Sequence, residues 1–169
     1  MPRRKQVPIL KRVRRHHALE HATIRILNRR LPDLHLAGWS APRGFYIYGA
    51  VTPSQLQSAI AEALARLNQG ERQLAVHPRC GTNLITAGML VGLTSFLSML
   101  PGDQRARRAR LPLVLLLSTF ALLLAQPLGL AVQQHVTTEA NVESVSSITI
   151  ESYKMGQTPV HRIQLEHSP

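Results

Sequence analysis

His17-Ala18-Leu19-Glu20-His21 sets two imidazoles four residues apart with a carboxylate between them. On a helix, positions i and i+4 share one face, so both rings reach a common point and offer two nitrogen ligands to a zinc ion. Glu20 is close enough on that face to orient or deprotonate a water on a bound metal, which is the work of a general base. The order reverses the HExxH pattern of zinc proteases. A second group, His77-Pro78-Arg79-Cys80-Gly81-Thr82-Asn83, places an imidazole and a thiol three residues apart around a proline turn. Imidazole plus thiolate is a good zinc pair, and a helix starting just after Cys80 favours the thiolate. His17, His21, His77 and Cys80 are therefore the expected metal ligands, with Glu20 as the catalytic candidate.

These residues need elements to hold them. From Pro8 to Arg30 the pattern is helical, with Leu10, Val13, His17, Glu20, His21, Ile24 and Leu27 on one stripe and Arg14, Arg15, Arg25 and Arg29 on the other side. The stripe is the expected buried face. Two imidazoles and a carboxylate buried without partners would cost several kcal/mol, so they are metal-bound, paired or hydrogen-bonded. Leu34 to Trp39 and Gly44 to Val51 read as a strand hairpin around a Pro-Arg-Gly turn. Thr52-Pro53 opens a helix that continues over Ser54 to Leu67, and a short strand is expected around Gln73 to Val76. Val142 to Tyr153 and Val160 to Leu165 form a C-terminal hairpin that can extend the first sheet.

Charge and apolar residues are segregated. Of 20 Lys and Arg, 14 lie in residues 1–83 and four in residues 101–110, while 82–100 and 111–132 carry no charge. As helices these 19 and 22 residues reach about 28 and 33 Å, near the thickness of a bilayer core. The expected fold is thus a small α+β soluble unit attached to a two-helix transmembrane hairpin. Residues 1–81 form a basic N-terminal α+β region, 82–132 the hairpin, and 133–169 a β-hairpin tail packing on the N-terminal region. A buried hairpin of a soluble protein is the alternative, but 113–124 is apolar around nearly its whole circumference. Neither span looks like a cleavable signal, and a multi-pass place in the inner (plasma) membrane with cytoplasmic termini is expected.

The single cysteine excludes an intrachain disulfide framework, and the aliphatic composition excludes a disordered chain. A net charge of +11 calls for anionic partners. The basic stretch Met1 to Arg15 suits anionic lipid head groups at the bilayer surface, and without aromatic stacking residues beside it no nucleic acid is expected. Gly88 and Gly92 form a GxxxG spacing that admits a second helix closely, the Leu-rich segment 113–124 or a further copy in an oligomer.

The two segments HALEHATI and HPRCGTN resemble the signature of the YqhQ family of bacterial membrane proteins, over about residues 16–100. The resemblance implies an integral membrane protein with a metal-dependent activity, and carries over to His17, Glu20 and His21 and to His77 through Thr82. Ala22 stands where that family usually has lysine, and Asn83 where serine is more usual. Three readings follow. One is a zinc-dependent hydrolase at the membrane surface, with His17, His21 and His77 as ligands, Glu20 as base and Cys80 as fourth ligand or accessory group. The second is a closed structural zinc site of all four ligands, with Glu20 orienting one of them. The third is a metal-free, membrane-anchored interaction module.

Overall fold

The computed structural model describes residues 8–100 and 103–167, so the first seven residues of the basic stretch lie outside it. The chain is α+β and divides into two units, residues 1–77 with 134–169, and residues 78–133. In the first unit, α1 (Ile9–Arg30) and α2 (Pro53–Asn68) cover one face of an antiparallel sheet. The strands β1 (Ala37–Ala41), β2 (Gly44–Tyr48), β3 (Val145–Met155) and β4 (Thr158–His167) lie in the order β1-β2-β4-β3. The C-terminal hairpin therefore does extend the first sheet, through Phe45 opposite Ile163 and Ile47 opposite His161.

Alternation explains the core. Phe45 and Ile47 on β2 and Ile163 and Leu165 on β4 point to the helices, where they meet Leu19, Leu27, Leu56 and Ile60. α2 begins in a capping box in which Thr52 and Gln55 satisfy each other's backbone N–H, as its Thr-Pro start predicts. The middle of α1 is buried around most of its circumference, unlike the single stripe expected. Leu10 stands exposed, because the first turn clears the core, while Arg15 is drawn inward by Ser144.

The strand expected around Gln73 to Val76 is instead a 3₁₀ turn, Arg72–Ala75. Its carbonyls are taken by side chains of α1 rather than by a neighbouring strand. Arg25 donates to Gln73 O at 2.8 Å and His21 to Ala75 O at 2.8 Å. Residues 34–36 likewise stay outside β1, which pairs with β2 only from Ala37.

The second unit is a helical hairpin of α3 (Gly81–Met99) and α5 (Leu111–Val132), both long and apolar enough to cross a membrane. Residues 103–110 include the short helix α4 (Gln104–Ala109), which Asp103 caps by accepting from Ala106 N at 2.9 Å. Large apolar residues such as Leu84, Met89, Leu97, Leu115 and Leu123 face outward. The seam of α5 is Val114, Ala121, Ala125 and Gly129, with a Ser95–Ser118 hydrogen bond of 3.1 Å between the helices. Gly88 and Gly92 are not at this seam: a Cβ on either meets nothing within 4 Å. The close approach comes at Gly129, where a Cβ would stand 2.3 Å from Asn83 Oδ1, which already accepts from Gln133 Nε2 at 2.7 Å. α5 runs on through Pro127 into a π-turn, Gln133–Thr137.

Candidate metal centre

Within the first unit, α1 brings His17 and His21 together as its i, i+4 spacing predicts. Their ring centroids are 4.2 Å apart, edge to face, and a ligand nitrogen of one lies within 4.8 Å of a ligand nitrogen of the other. His77, at the end of the strap after the 3₁₀ turn, has its ring centroid 5.8 Å from that of His21. Two imidazoles on one tetrahedral zinc, with Zn–N near 2.0 Å, hold their centroids about 5 Å apart. The two observed separations lie on either side of that value.

The tautomers are set by backbone. His21 Nδ1 lies 2.8 Å from Ala75 O, and His17 Nδ1 lies 3.0 Å from Thr137 O. A carbonyl only accepts, so each Nδ1 carries the hydrogen and donates it. In the neutral rings Nε2 is left with its lone pair, which is the form a metal takes. A ligand histidine typically has just such a carbonyl behind it. Soft thiol and imidazole donors in this sequence suit zinc rather than the hard cations bound by oxygen.

Glu20 leaves α1 on the side of β1. Its carboxylate is buried, accepts a hydrogen bond from Ser40 Oγ, and fits against Gly38, where a Cβ would stand 2.1 Å from Oε1. Cys80 belongs to the second unit. It is the N-cap of α3, its Sγ accepting from Thr82 N at 3.4 Å, which is the helix-start position its sequence predicts. Asn83 turns back to donate to Pro78 O at 2.7 Å and so shapes the turn between His77 and Cys80.

Sequence reasoning missed a second histidine group one residue earlier on the same helix. His16 is fully buried, its Nδ1 donating to Ala41 O at 2.7 Å. Its Nε2 therefore accepts from His167 Nε2 at 2.8 Å, and the His167 Nδ1 accepts from Ser144 Oγ at 2.9 Å. Arg15 Nη1 donates to the same Ser144 Oγ at 2.7 Å. Burial holds the His16 imidazole below its ordinary value, helped by Arg12 and Arg15 and opposed by the Ala41 bond. Burial, then the charges of His16, Arg15 and Arg12, lower His167 to about 4. The adjacent pair His16-His17 was the one signal in the sequence, since neighbouring helix positions point about 100° apart and must serve two environments.

A model for a family described as a domain of unknown function, DUF6391, matches residues 12–150. An uncharacterized protein of Picosynechococcus sp. is 34% identical over 167 residues, covering 90% of this chain and 78% of its own length. No solved structure matches the chain.

Proposed function

Because the chain belongs to the DUF6391 family, which lends no activity, we propose a function from its own residues: a membrane-anchored zinc-binding protein whose site is closed and structural. His17 and His21 supply two Nε2 ligands, His77 a third, and Cys80, three residues along the chain from His77, the thiolate. The observation that carries the metal-binding part of this reading is the pair of backbone carbonyls, Thr137 O and Ala75 O, that hold both helix histidines in the metal-binding tautomer, and the Cys80 thiol as a fourth donor is what would close the site. The resemblance of HALEHATI and HPRCGTN to the YqhQ family supports the same residues. The two apolar helices would carry the protein in the inner membrane as a multi-pass hairpin with cytoplasmic termini, its basic surface against anionic head groups.

Four protein ligands leave zinc no open position, and binding then contributes to folding. Cobalt substitution tests the ligand set directly. The reading expects a thiolate-to-cobalt absorption band that Cys80→Ser abolishes and Glu20→Gln leaves in place. A cobalt protein with no such band has no sulfur ligand and contradicts the closed site.

Hydrolysis at the membrane surface is the second reading, and Glu20 favours it: a buried carboxylate three residues after His17 on α1, held by Ser40. A bound zinc with an open position would supply Lewis acidity and an acidified water. Glu20 would then accept the proton of that water, and Ser40 would hold the carboxylate in place. On this reading Glu20→Gln abolishes turnover while zinc is retained, and Cys80→Ser keeps the metal.

A further inference from the structure

Arg12 and Arg15 share one side of α1, and among the described residues neither has a carboxylate partner. The ion pairs among the described residues join Arg30 and Arg66 to Glu62, Arg66 to Glu71, and Arg162 to Glu151. Arg15 is nevertheless only 8% exposed, with a single hydrogen bond, to Ser144 Oγ, and its Nε is buried without a partner. The Nε of Arg12 is likewise buried and unpartnered. A buried guanidinium left uncompensated is costly, and an anion bound beside it would offset that cost.

The surroundings fit that use. Ser144 and His167 are half-buried, so the place is lined by protein yet open to a ligand. The charges of Arg12 and Arg15 both act on His167, and no acidic group is among the causes that shift it. Two acids neighbour the site in the chain: Glu166, beside His167, is taken up by Ser147 Oγ at 2.7 Å, and Glu143, beside Ser144, is exposed to solvent. Arg14, beside Arg15, is spent differently: its Nη2 donates to the carbonyls of His135 and Thr138 at 3.1 Å each.

We propose that Arg12, Arg15, Ser144 and His167 form an anion site for a phosphate monoester. Two guanidinium groups match a dianion in charge, and their planar forks match its oxygens in geometry. The Ser144 hydroxyl turns to whichever acceptor is present, giving its hydrogen to His167 when no ligand is bound and to a phosphate oxygen when one is. The same chemistry recognises a free phosphate ester and the head group of a phosphatidic acid. The site is independent of the zinc proposal, since none of its four residues is a metal ligand.

The test is calorimetric titration of the full chain in neutral detergent micelles. Inorganic phosphate is the first probe, followed by short-chain phosphatidic acid against short-chain phosphatidylglycerol in the same micelles. Binding of phosphate, weakened about tenfold or more by Arg12→Gln and by Ser144→Ala, is the expected result. Phosphatidic acid bound tighter than inorganic phosphate and than phosphatidylglycerol identifies a lipid head group, and equal binding of inorganic phosphate and phosphatidic acid identifies a soluble ester. Among the described residues the Arg12 side chain makes no hydrogen bond, so Arg12→Gln is expected to keep the fold and stands in for the riskier Arg15→Gln. No binding of any probe, or binding unchanged in both variants, overturns the proposal. Zinc content read on the same samples separates this failure from that of the metal centre.

Discussion

Gly38 on β1 and Glu20 on α1 approach so closely that a Cβ at Gly38 would stand 2.1 Å from the carboxylate oxygen Oε1. The helix that carries the candidate ligands is thus seated on the sheet through a buried acid and a residue with no side chain. Gly38→Ala must push Glu20 aside or part the helix from the strand, at an expected cost of about 1–3 kcal/mol. Thermal unfolding of the variant in detergent measures it, and an unchanged midpoint contradicts the packing.

Ser40→Ala tests the other half of that seat. It takes one donor away from a buried carboxylate, and the expected loss is about 1–3 kcal/mol. Denaturant titration checks this beside Gly38→Ala. A loss no larger than that of an exposed serine, such as Ser146→Ala, would show that Ser40 does not hold the acid.

The ladder of α1 was legible because its pattern is local. The i, i+4 spacing of His17 and His21, the Thr52-Pro53 helix start and the two strand hairpins depend on neighbours along the chain, and all recur in the structure. What escaped depended on partners far away. The 3₁₀ turn at Arg72–Ala75 exists because Arg25 and His21 claim its carbonyls. His16 finds its partner, His167, 151 residues along the chain, and no periodicity announces that. The seam at Gly129 rather than at Gly88 and Gly92 was hidden for the same reason, since a small residue reveals its use only when the facing helix is known.

Those glycines give opposite predictions. Gly129→Val places a branched side chain against Asn83 and should lower the thermal midpoint in detergent and break the Asn83–Gln133 bond, whereas Gly88→Val meets open space within the hairpin. Equal effects of the two substitutions would contradict the assigned seam.

The His16–His167 pair predicts a pH dependence with a definite sign. The fold lowers the His167 pKa from about 6.5 to about 4, so it favours the neutral ring. That contribution is whole above about pH 6.5 and is lost as the pH falls from there toward about 4. The thermal midpoint of the wild type should therefore drop across this window more steeply than that of His167→Gln. Parallel curves for the two proteins would contradict the shift.

In the proposed site the Nε2 atoms of His17 and His21 hold a metal. This is tested most directly by elemental analysis of the full chain purified in detergent without chelator, wild type beside His21→Ala and, as a control, His35→Ala, a histidine outside the site. About one zinc per chain in the wild type and in His35→Ala, and none in His21→Ala, is the predicted result. Wild-type protein that carries no zinc and takes up none on reconstitution, or zinc retained in His21→Ala, would contradict it.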